Sequence, residues 1–478
     1  MQKKLSRKDI VDLIAAIEQQ LSLEDFVYEG VNFWPLIRIR LFMGTVEKSY
    51  GAKITSINGG NNFALLKRIF SSKPKARVNE SSTETLFVSS QNYKVSIADQ
   101  DFDRVLEAYV EDCRVQKIPF AVLDNGSGVK VVETTQTADS SVFKIMLIAK
   151  VLSKIDSLRP SRSRKVEKML QTVEGHLLQP PMSDVYYIRK QMLNAILYVR
   201  RLISGMKRYL IETRVGAIYF ATGYDFLSLA ICAAGDSLEI QTNIVQHGGQ
   251  SANNAVFGRW TKLPAGGFEM LPNTYRCWDQ SSSRTINQWA SSTRKHRGEV
   301  DGHRWNDIVT NHHVLNDNSS SITAVSNQHP INVIVSLQPS APQLIDTVFK
   351  VMNTAPKQIA WWVRVHPRQK ATGFAQELIQ RVPEGSIVSI DVASTVALPL
   401  LLSHMDMHIT AYSSTVYDAL GFNVPTIFSD AQALEYFSDL LELNNVSYMT
   451  DPIQITEFLC KLVEAAEQLR EAKNQTND

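Results

Sequence analysis

The chain has 478 residues, of which 44% are hydrophobic and 21% charged, and its formal net charge is +2. At about 100–200 residues per domain this predicts two or three soluble globular domains. The near-neutral balance argues against a nucleic-acid-binding protein, and four dispersed cysteines with no CxxC pair argue against a disulfide framework or a cysteine zinc site.

The N-terminus, MQKKLSRKDIVDLI, has no apolar core of the secretory kind, so a cytoplasmic protein is expected. Residues 5–22 put Ile10, Leu13, Ile14, Ile17 and Leu21 at helical spacing. A second segment, 32–46, carries Trp34, Leu36, Ile37, Ile39, Leu41 and Phe42, too many apolar groups for a free surface helix. We assign 1–70 to an N-terminal helical segment and 71–84, which is polar, to a linker.

From residue 85 short apolar runs alternate with helical patterns. TLFVSS (85–90) reads as a strand, DFDRVLEAYVEDC (101–113) as a helix and PFAVLDNG (119–126) as a strand with a turn. Residues 141–213 are helical and rich in bases, concentrated over 159–208. GAIYFATG, YDFLSLAICAAG and TNIVQHGG then read as strand, helix and strand, and the break at Gly223–Asp225 makes 215–234 a poor membrane span. Residues 291–330 are polar and turn-rich. Beyond them strands are expected at 331–338, 359–366, 386–391, 406–413, 424–430 and 446–451, with a closing helix at 455–472. This alternation predicts parallel α/β sheets: one Rossmann-like domain over 85–290, a boundary at 291–330 and a second such domain over 331–478.

Ligands of open parallel sheets bind beyond the carboxyl ends of the strands, so polar residues there are the candidates. Gln246-His247-Gly248-Gly249 ends one strand; the histidine suits a general base, and glycines let backbone approach a ligand. A histidine hydrogen-bonded within its own loop is an equally good reading. In VRVHPRQ (363–369), His366 and Arg368 stand beside a strand-ending proline, a set that suits phosphate. Ser413, Ser414 and Thr415 lie between a strand and a helix, where they serve as caps or offer hydroxyl and N–H groups to a phosphate. Asp225, after YFATGY, is a second candidate base. Asp99, Asp101 and Asp103 are spaced like an Asp-x-Asp metal motif, although such runs more often form a solvated turn. No GxxxxGK[ST], GxSxG or HExxH occurs.

Together, VQHGGQ, TKLPAGGFEMLPNTYRCWD, VRVHPRQ and ITAYSSTVYDALGFNVP resemble bacterial surface-polysaccharide glycosyltransferases of the GT-B type, in order and spacing over roughly residues 85–470. The resemblance implies two Rossmann-like domains facing across a cleft. It implies transfer from a nucleotide sugar, with a CMP-activated acidic sugar such as Kdo or a nonulosonic acid favoured, to a glycan or lipid-linked glycan of capsule or O-antigen synthesis. By resemblance, His366, Ser413 and Ser414 hold the nucleotide phosphate and the QHGG loop serves the acceptor, with no metal and no cofactor beyond the donor. The acidic Asp/Glu-Asp/Glu-Gly motif of sialyltransferases has no clean copy, LDNGSG (123–128) being the nearest. The alternatives are a nucleotide-sugar epimerase of similar fold and a non-catalytic glycan-binding or assembly protein. The basic region 159–208 is a candidate for peripheral docking on anionic lipid or glycan, as readily as a solvated helix surface.

Overall fold

The computed structural model describes residues 5–50, 83–97, 100–124, 130–134, 141–178, 180, 182–311, 319–366, 369 and 373–477. The chain divides into two compact units. Unit 1 comprises Met1–Val95 and Phe102–Gly302, and unit 2 comprises Ser96–Asp101 and His303–Asp478. The crossing at 302–303 falls inside the polar 291–330 stretch, which holds a strand (Arg297–Val300) and helices Arg304–Asn311 and Ser319–Ser326.

Unit 1 opens with helices α1 (Arg7–Gln20) and α2 (Trp34–Tyr50). A reciprocal capping box between Ser6 and Asp9 starts α1, satisfying backbone donors that a helix end leaves open. Ile10, Ile14, Ile17, Trp34, Ile37 and Leu41 are fully buried and share one core with the sheet that follows. The N-terminal helices therefore belong to the first Rossmann-like body. The reason is a buried ion pair. Glu18 and Arg38 are both fully buried, with Arg38 Nε 3.3 Å from Glu18 Oε1. Glu18 also accepts from Trp34 Nε1 at 2.5 Å and from the Thr261 N–H at 2.6 Å. Arg38 donates to the carbonyls of Ala255, Gly258 and Arg259 and lies over the Trp260 ring, 4.0 Å from its centroid. Burial pulls the guanidinium's pKa down, and Glu18 opposes that shift.

The first sheet contains β1 (Thr85–Ser89), β2 (Phe120–Asp124), β3 (Lys130–Thr134), β4 (Ala217–Phe220), β5 (Gln241–Val245), β6 (Thr274–Cys277) and β7 (Arg297–Val300). Its order is β7-β6-β5-β4-β1-β2-β3, parallel except for the β2–β3 edge pair. Strand β1 is buried throughout, the pattern of a strand covered on both faces. Helices α3 (Ser141–Ser157), α4 (Pro160–Leu177) and α5 (Arg189–Thr213) follow β3, and α6 (Phe226–Asp236) follows β4.

Two expectations change here. Residues 100–103 form one strand of a short ribbon with Lys94–Ile97, and the helix expected from 101 starts only at Glu107. Asp103 explains the delay. Its buried carboxylate accepts from the N–H groups of Val105 and Leu106 and from the Ser89 hydroxyl, so it holds a turn. That occupation removes Asp103 from an Asp-x-Asp metal set. Asp101 is exposed, while Asp99 and the linker up to residue 82 lie outside the described residues. The basic stretch 159–208 is also less open than its composition suggests. Asp156, fully buried, receives Arg162 at 2.7 Å and Arg201 at 2.5 Å, Arg200 reaches Glu29, and Arg189 pairs with Glu174.

Unit 2 contains β8 (Ile331–Ser336), β9 (Ile359–Arg364), β10 (Ile387–Ser389), β11 (Met407–Thr410), β12 (Thr426–Phe428) and β13 (Val446–Tyr448), all parallel, in the order β10-β9-β8-β11-β12-β13. In both sheets the chain starts in the middle, builds outward on one side and returns to the other. That is the doubly wound order, with switch points between β1 and β4 and between β8 and β11. The expected fold class, α/β with two Rossmann-like domains and an added N-terminal helical segment, holds. Among the described residues no helix is long and apolar enough to cross a membrane. All four cysteines are free thiols, three of them buried.

Removing one partner of a buried ion pair leaves the other charged and unpaired, at about 3–5 kcal/mol. Arg38→Met is therefore expected to destabilise unit 1 by that amount in urea denaturation. The Glu18→Gln/Arg38→Met double variant should lose clearly less than the sum of the single changes. Additive losses would show that the pair is not coupled.

Candidate functional site

At the carboxyl edge of the first sheet, three loops converge beside the switch point. Tyr93 follows β1, Tyr224 follows β4 and His247 follows β5. The His247 ring lies 5.1 Å from that of Tyr93, 5.8 Å from that of Tyr224 and 6.3 Å from that of Phe257. Its Nε2 is 3.3 Å from the Tyr224 hydroxyl, and its buried Nδ1 has no hydrogen-bond partner of good geometry. The residue keeps a partly exposed edge. Desolvation, with Arg104 adding to it, lowers the imidazole pKa to about 4, and the nearby Val245 carbonyl opposes this. Burial raises the Tyr93 and Tyr224 pKa values, so at neutral pH the box is two protonated phenols and a neutral imidazole. A neutral imidazole accepts a proton, but one with this pKa is a weak base.

The neighbours of His247 hold the loop. Gln246, expected on the acceptor side, is fully buried. Its Oε1 accepts from the Trp278 N–H at 2.7 Å, and its Nε2 donates to the Gly248 carbonyl and to Ser282 Oγ, each at 3.0 Å. The glutamine therefore fixes the turn. Gly248 and Gly249 do not adopt left-handed backbone, and a Cβ at 248 would meet no atom within 4 Å. The fold does not require glycine at 248, and the open space beside it suits close approach of a ligand. At Gly258 the reverse holds: a Cβ would fall 2.7 Å from Ala252 Cα, so the 255–259 turn that Arg38 grips closes only with glycine.

Asp225, the second candidate base, caps α6. Its carboxylate accepts from the N–H groups of Leu227 and Ser228 at 3.0 Å, from Ser228 Oγ at 2.6 Å and from Thr222 Oγ1 at 3.2 Å. That commitment favours a structural role over proton transfer. It leaves His247 as the stronger candidate base in unit 1.

In unit 2, Ser413–Thr415 follow β11 at the switch point, and His366 follows β9, the neighbour of β8. Gln338, just beyond β8, accepts from the Tyr412 N–H at 2.9 Å and so ties the two loops together. Ser413 Oγ accepts from the Thr415 N–H at 3.3 Å, whereas Ser414 is exposed and makes no capping bond to α7 (Thr415–Gly421). The His366 carbonyl accepts from the Gln369 N–H at 2.8 Å. Arg368 lies outside the described residues.

Three residues beneath these loops were not among the expected site residues, although Arg364 and Asp418 lie inside the VRVHPRQ and ITAYSSTVYDALGFNVP segments. His408 on β11 is fully buried. Its Nδ1 meets Thr426 Oγ1 at 3.1 Å, and its Nε2 meets Ser336 Oγ at 3.0 Å and Thr415 Oγ1 at 3.4 Å. Burial lowers its pKa to about 4, so it joins the end of β8 to the start of α7 as a neutral ring. Arg364 donates to the carbonyls of Ala393 and Val396 at 2.6 and 2.7 Å; burial lowers its pKa to about 10, with Asp418 on α7 opposing. Asp418 in turn faces His303 Nε2 at 3.2 Å. The sequence signal for His408 and Arg364 was an ionisable side chain inside or at the end of an apolar strand, whereas Asp418 sits in the first turn of α7.

No protein-family model and no curated protein matches the chain. Solved structures resemble it at low identity. A UDP-GlcNAc 2-epimerase from Neisseria meningitidis bound to UDP-GlcNAc is 12% identical over 80% of this chain and 92% of that one, with a TM-score of 0.45. The glycosyltransferase SnogD from Streptomyces nogalater is 12% identical over 82% and 95%, with a TM-score of 0.43. The wall teichoic acid polymerase TagF is 14% identical over 54% and 66%, with a TM-score of 0.35. These values assign neither substrate nor reaction.

The buried histidines make stability depend on pH. His296 in unit 1 resembles His247: its Nδ1 meets the Pro272 carbonyl, its Nε2 accepts from the Phe268 N–H, and burial lowers its pKa to about 4. Between about pH 6.5 and 4 the unfolded chain protonates these rings and the folded chain does not. Stability therefore falls as pH drops through that window, by up to about 1.4 kcal/mol per pH unit for each histidine. Chemical denaturation at successive pH values should show this slope, and His247→Phe should reduce it by one proton. An unchanged slope in that variant would contradict the neutral buried ring.

Proposed function

We propose that the chain is a nucleotide-sugar-dependent enzyme, and that its reaction is glycosyl transfer in bacterial surface-polysaccharide synthesis. The observation that carries this reading is the position of Ser413–Thr415 and His366 at the carboxyl edge of a doubly wound sheet, beside its switch point. Unit 2 binds the donor. Negative charge grows on the donor phosphate as the glycosidic bond breaks. His366, Arg368 and the hydroxyls of Ser413, Ser414 and Thr415 receive it, so the step needs no metal and no further cofactor. His408, Gln338 and Arg364 hold those loops in register from below.

Unit 1 serves the acceptor, a glycan or lipid-linked glycan. His247 is neutral at physiological pH and is the proposed acceptor of the hydroxyl proton as the new bond forms, a role that requires the bound acceptor to raise its pKa from about 4. The Gly248 backbone beside it leaves room for the sugar. The favoured donor is a CMP-linked acidic sugar, by the resemblance of the His-Pro and Ser-Ser segments. Exclusion of water on donor binding would limit hydrolysis.

Calorimetric titration with CMP, UDP, GDP and CDP tests the donor site. CMP is expected to bind best, and Ser413→Ala/Ser414→Ala to weaken it by at least about tenfold, the loss of one or two charge-assisted hydrogen bonds. Preference for UDP or GDP would keep the site and discard the acidic sugar. Conversion of a donor without acceptor would identify an epimerase. Absence of any nucleotide binding would point to a non-catalytic glycan-binding protein.

A further inference from the structure

Helix α3 departs from the pattern of its neighbours. One face is conventional: Val142, Ala149, Ser153 and Asp156 are buried, and the helix packs on α5. The opposite face carries Ile148, Val151 and Ile155 at three- and four-residue spacing, and Leu158 continues the stripe into the turn before α4. These side chains are 55%, 52%, 40% and 83% exposed. Single exposed aliphatic residues are ordinary, but four along one face form a patch that calls for a partner.

The charge around the stripe says which partner. Residues 141–168 carry eight Lys and Arg against two acidic residues, in a chain whose net charge is only +2. The sole carboxylate of α3, Asp156, is buried and neutralised by Arg162, Arg200 and Arg201. Lys144, Lys154, Arg159, Arg164 and Lys165 are exposed. The described surface of α3 therefore combines an aliphatic strip with cations and no exposed carboxylate of its own. A helix of this kind lies in a bilayer interface, with aliphatic groups among the upper acyl chains and cations reaching the phosphates.

We propose that α3 and the turn into α4 dock unit 1 on an anionic lipid surface. The docking face is thus the helix preceding the basic 159–208 stretch, where several arginines are already occupied by carboxylates. A soluble polyanion would engage the cations but gain nothing from the aliphatic strip. Lipid uses both.

Co-sedimentation of the full chain with phosphatidylcholine vesicles, with and without phosphatidylglycerol, tests this. Binding is expected only with phosphatidylglycerol. It should fall by at least about tenfold in Ile148→Ser/Val151→Ser/Leu158→Ser and separately in Lys144→Glu/Lys154→Glu, with melting temperatures unchanged because these side chains are exposed. A polarity-sensitive dye on Val151→Cys should shift to the blue on the anionic vesicles alone. The proposal is overturned if the parent chain binds neither vesicle or both equally. It is also overturned if the serine variant binds as tightly as the parent, which marks a purely electrostatic polyanion site. A serine variant that loses thermal stability would mean that the strip is covered by the chain itself. One that turns a dimer into a monomer without affecting vesicles would mean a second copy covers it.

Discussion

The buried Glu18–Arg38 pair is the constraint on which the first unit depends. Two charges removed from water are tolerable only when their hydrogen-bonding capacity is nearly filled. Here Glu18 is met by Trp34 and Thr261, and Arg38 by three carbonyls of the 255–259 turn. The pair therefore ties α1, α2 and the loop after β5 into one arrangement. Phe257 lies inside that turn and walls the His247 ring, and its carbonyl accepts from Trp289 Nε1 at 2.6 Å. A charge pair near the N-terminus thus shapes the environment of a histidine more than 200 residues later in the sequence.

The same economy governs the polar residues at the two sheet edges. Doubly wound sheets gather loops at one end, and those loops contain backbone groups that the sheet does not satisfy. Gln246, Asp225, Asp103 and Gln338 meet that need by bonding to main-chain N–H or C=O groups. Their polar character is consumed in holding the edge. His247 Nδ1 is buried with the Val245 carbonyl near it but not in good hydrogen-bond geometry, and Ser414 has an exposed hydroxyl without a capping bond. Residues that hold the edges are thus distinct from Ser414 and from the partly exposed His247 ring.

Charge is sorted in a comparable way on the helical side of unit 1. Asp156 draws arginines from α4 and α5 inward, which turns part of a basic sequence into a structural cluster. Other bases stay exposed, on α3 and its turn (Lys144, Lys154, Arg159) and on α4 and α5 (Arg164, Lys165, Lys168, Lys190, Lys207, Arg208), and the aliphatic strip lies beside the first of these sets. Sequence composition cannot distinguish the two sets of bases, because pairing depends on which helices pack side by side.

The sequence by itself determined the architecture. Continuous apolar runs such as INVIVS and IAWWVR are buried on both sheet faces, and their alternation with amphipathic helices allows little other than parallel α/β layers. It also marked the loops at the carboxyl ends of the strands, since polar residues there stand out against apolar neighbours. Strands without a continuous apolar run were harder to see: β6 reads TYRC and β7 reads RGEV, and the turn held by Asp103 read as helix because its aspartates match a helix start. Tertiary structure alone decided what each polar residue does. His247 became a neutral ring because Tyr93, Tyr224 and Phe257 arrive from separate loops to desolvate it, and Asp225 became a cap because its carboxylate meets the first N–H groups of α6. His408 became a bridge between β8 and α7 because its ring lies within reach of Ser336 and Thr415. Local sequence sets the period of an element, but desolvation and hydrogen-bond partners come from residues distant in the chain, and these set the protonation and availability of a side chain.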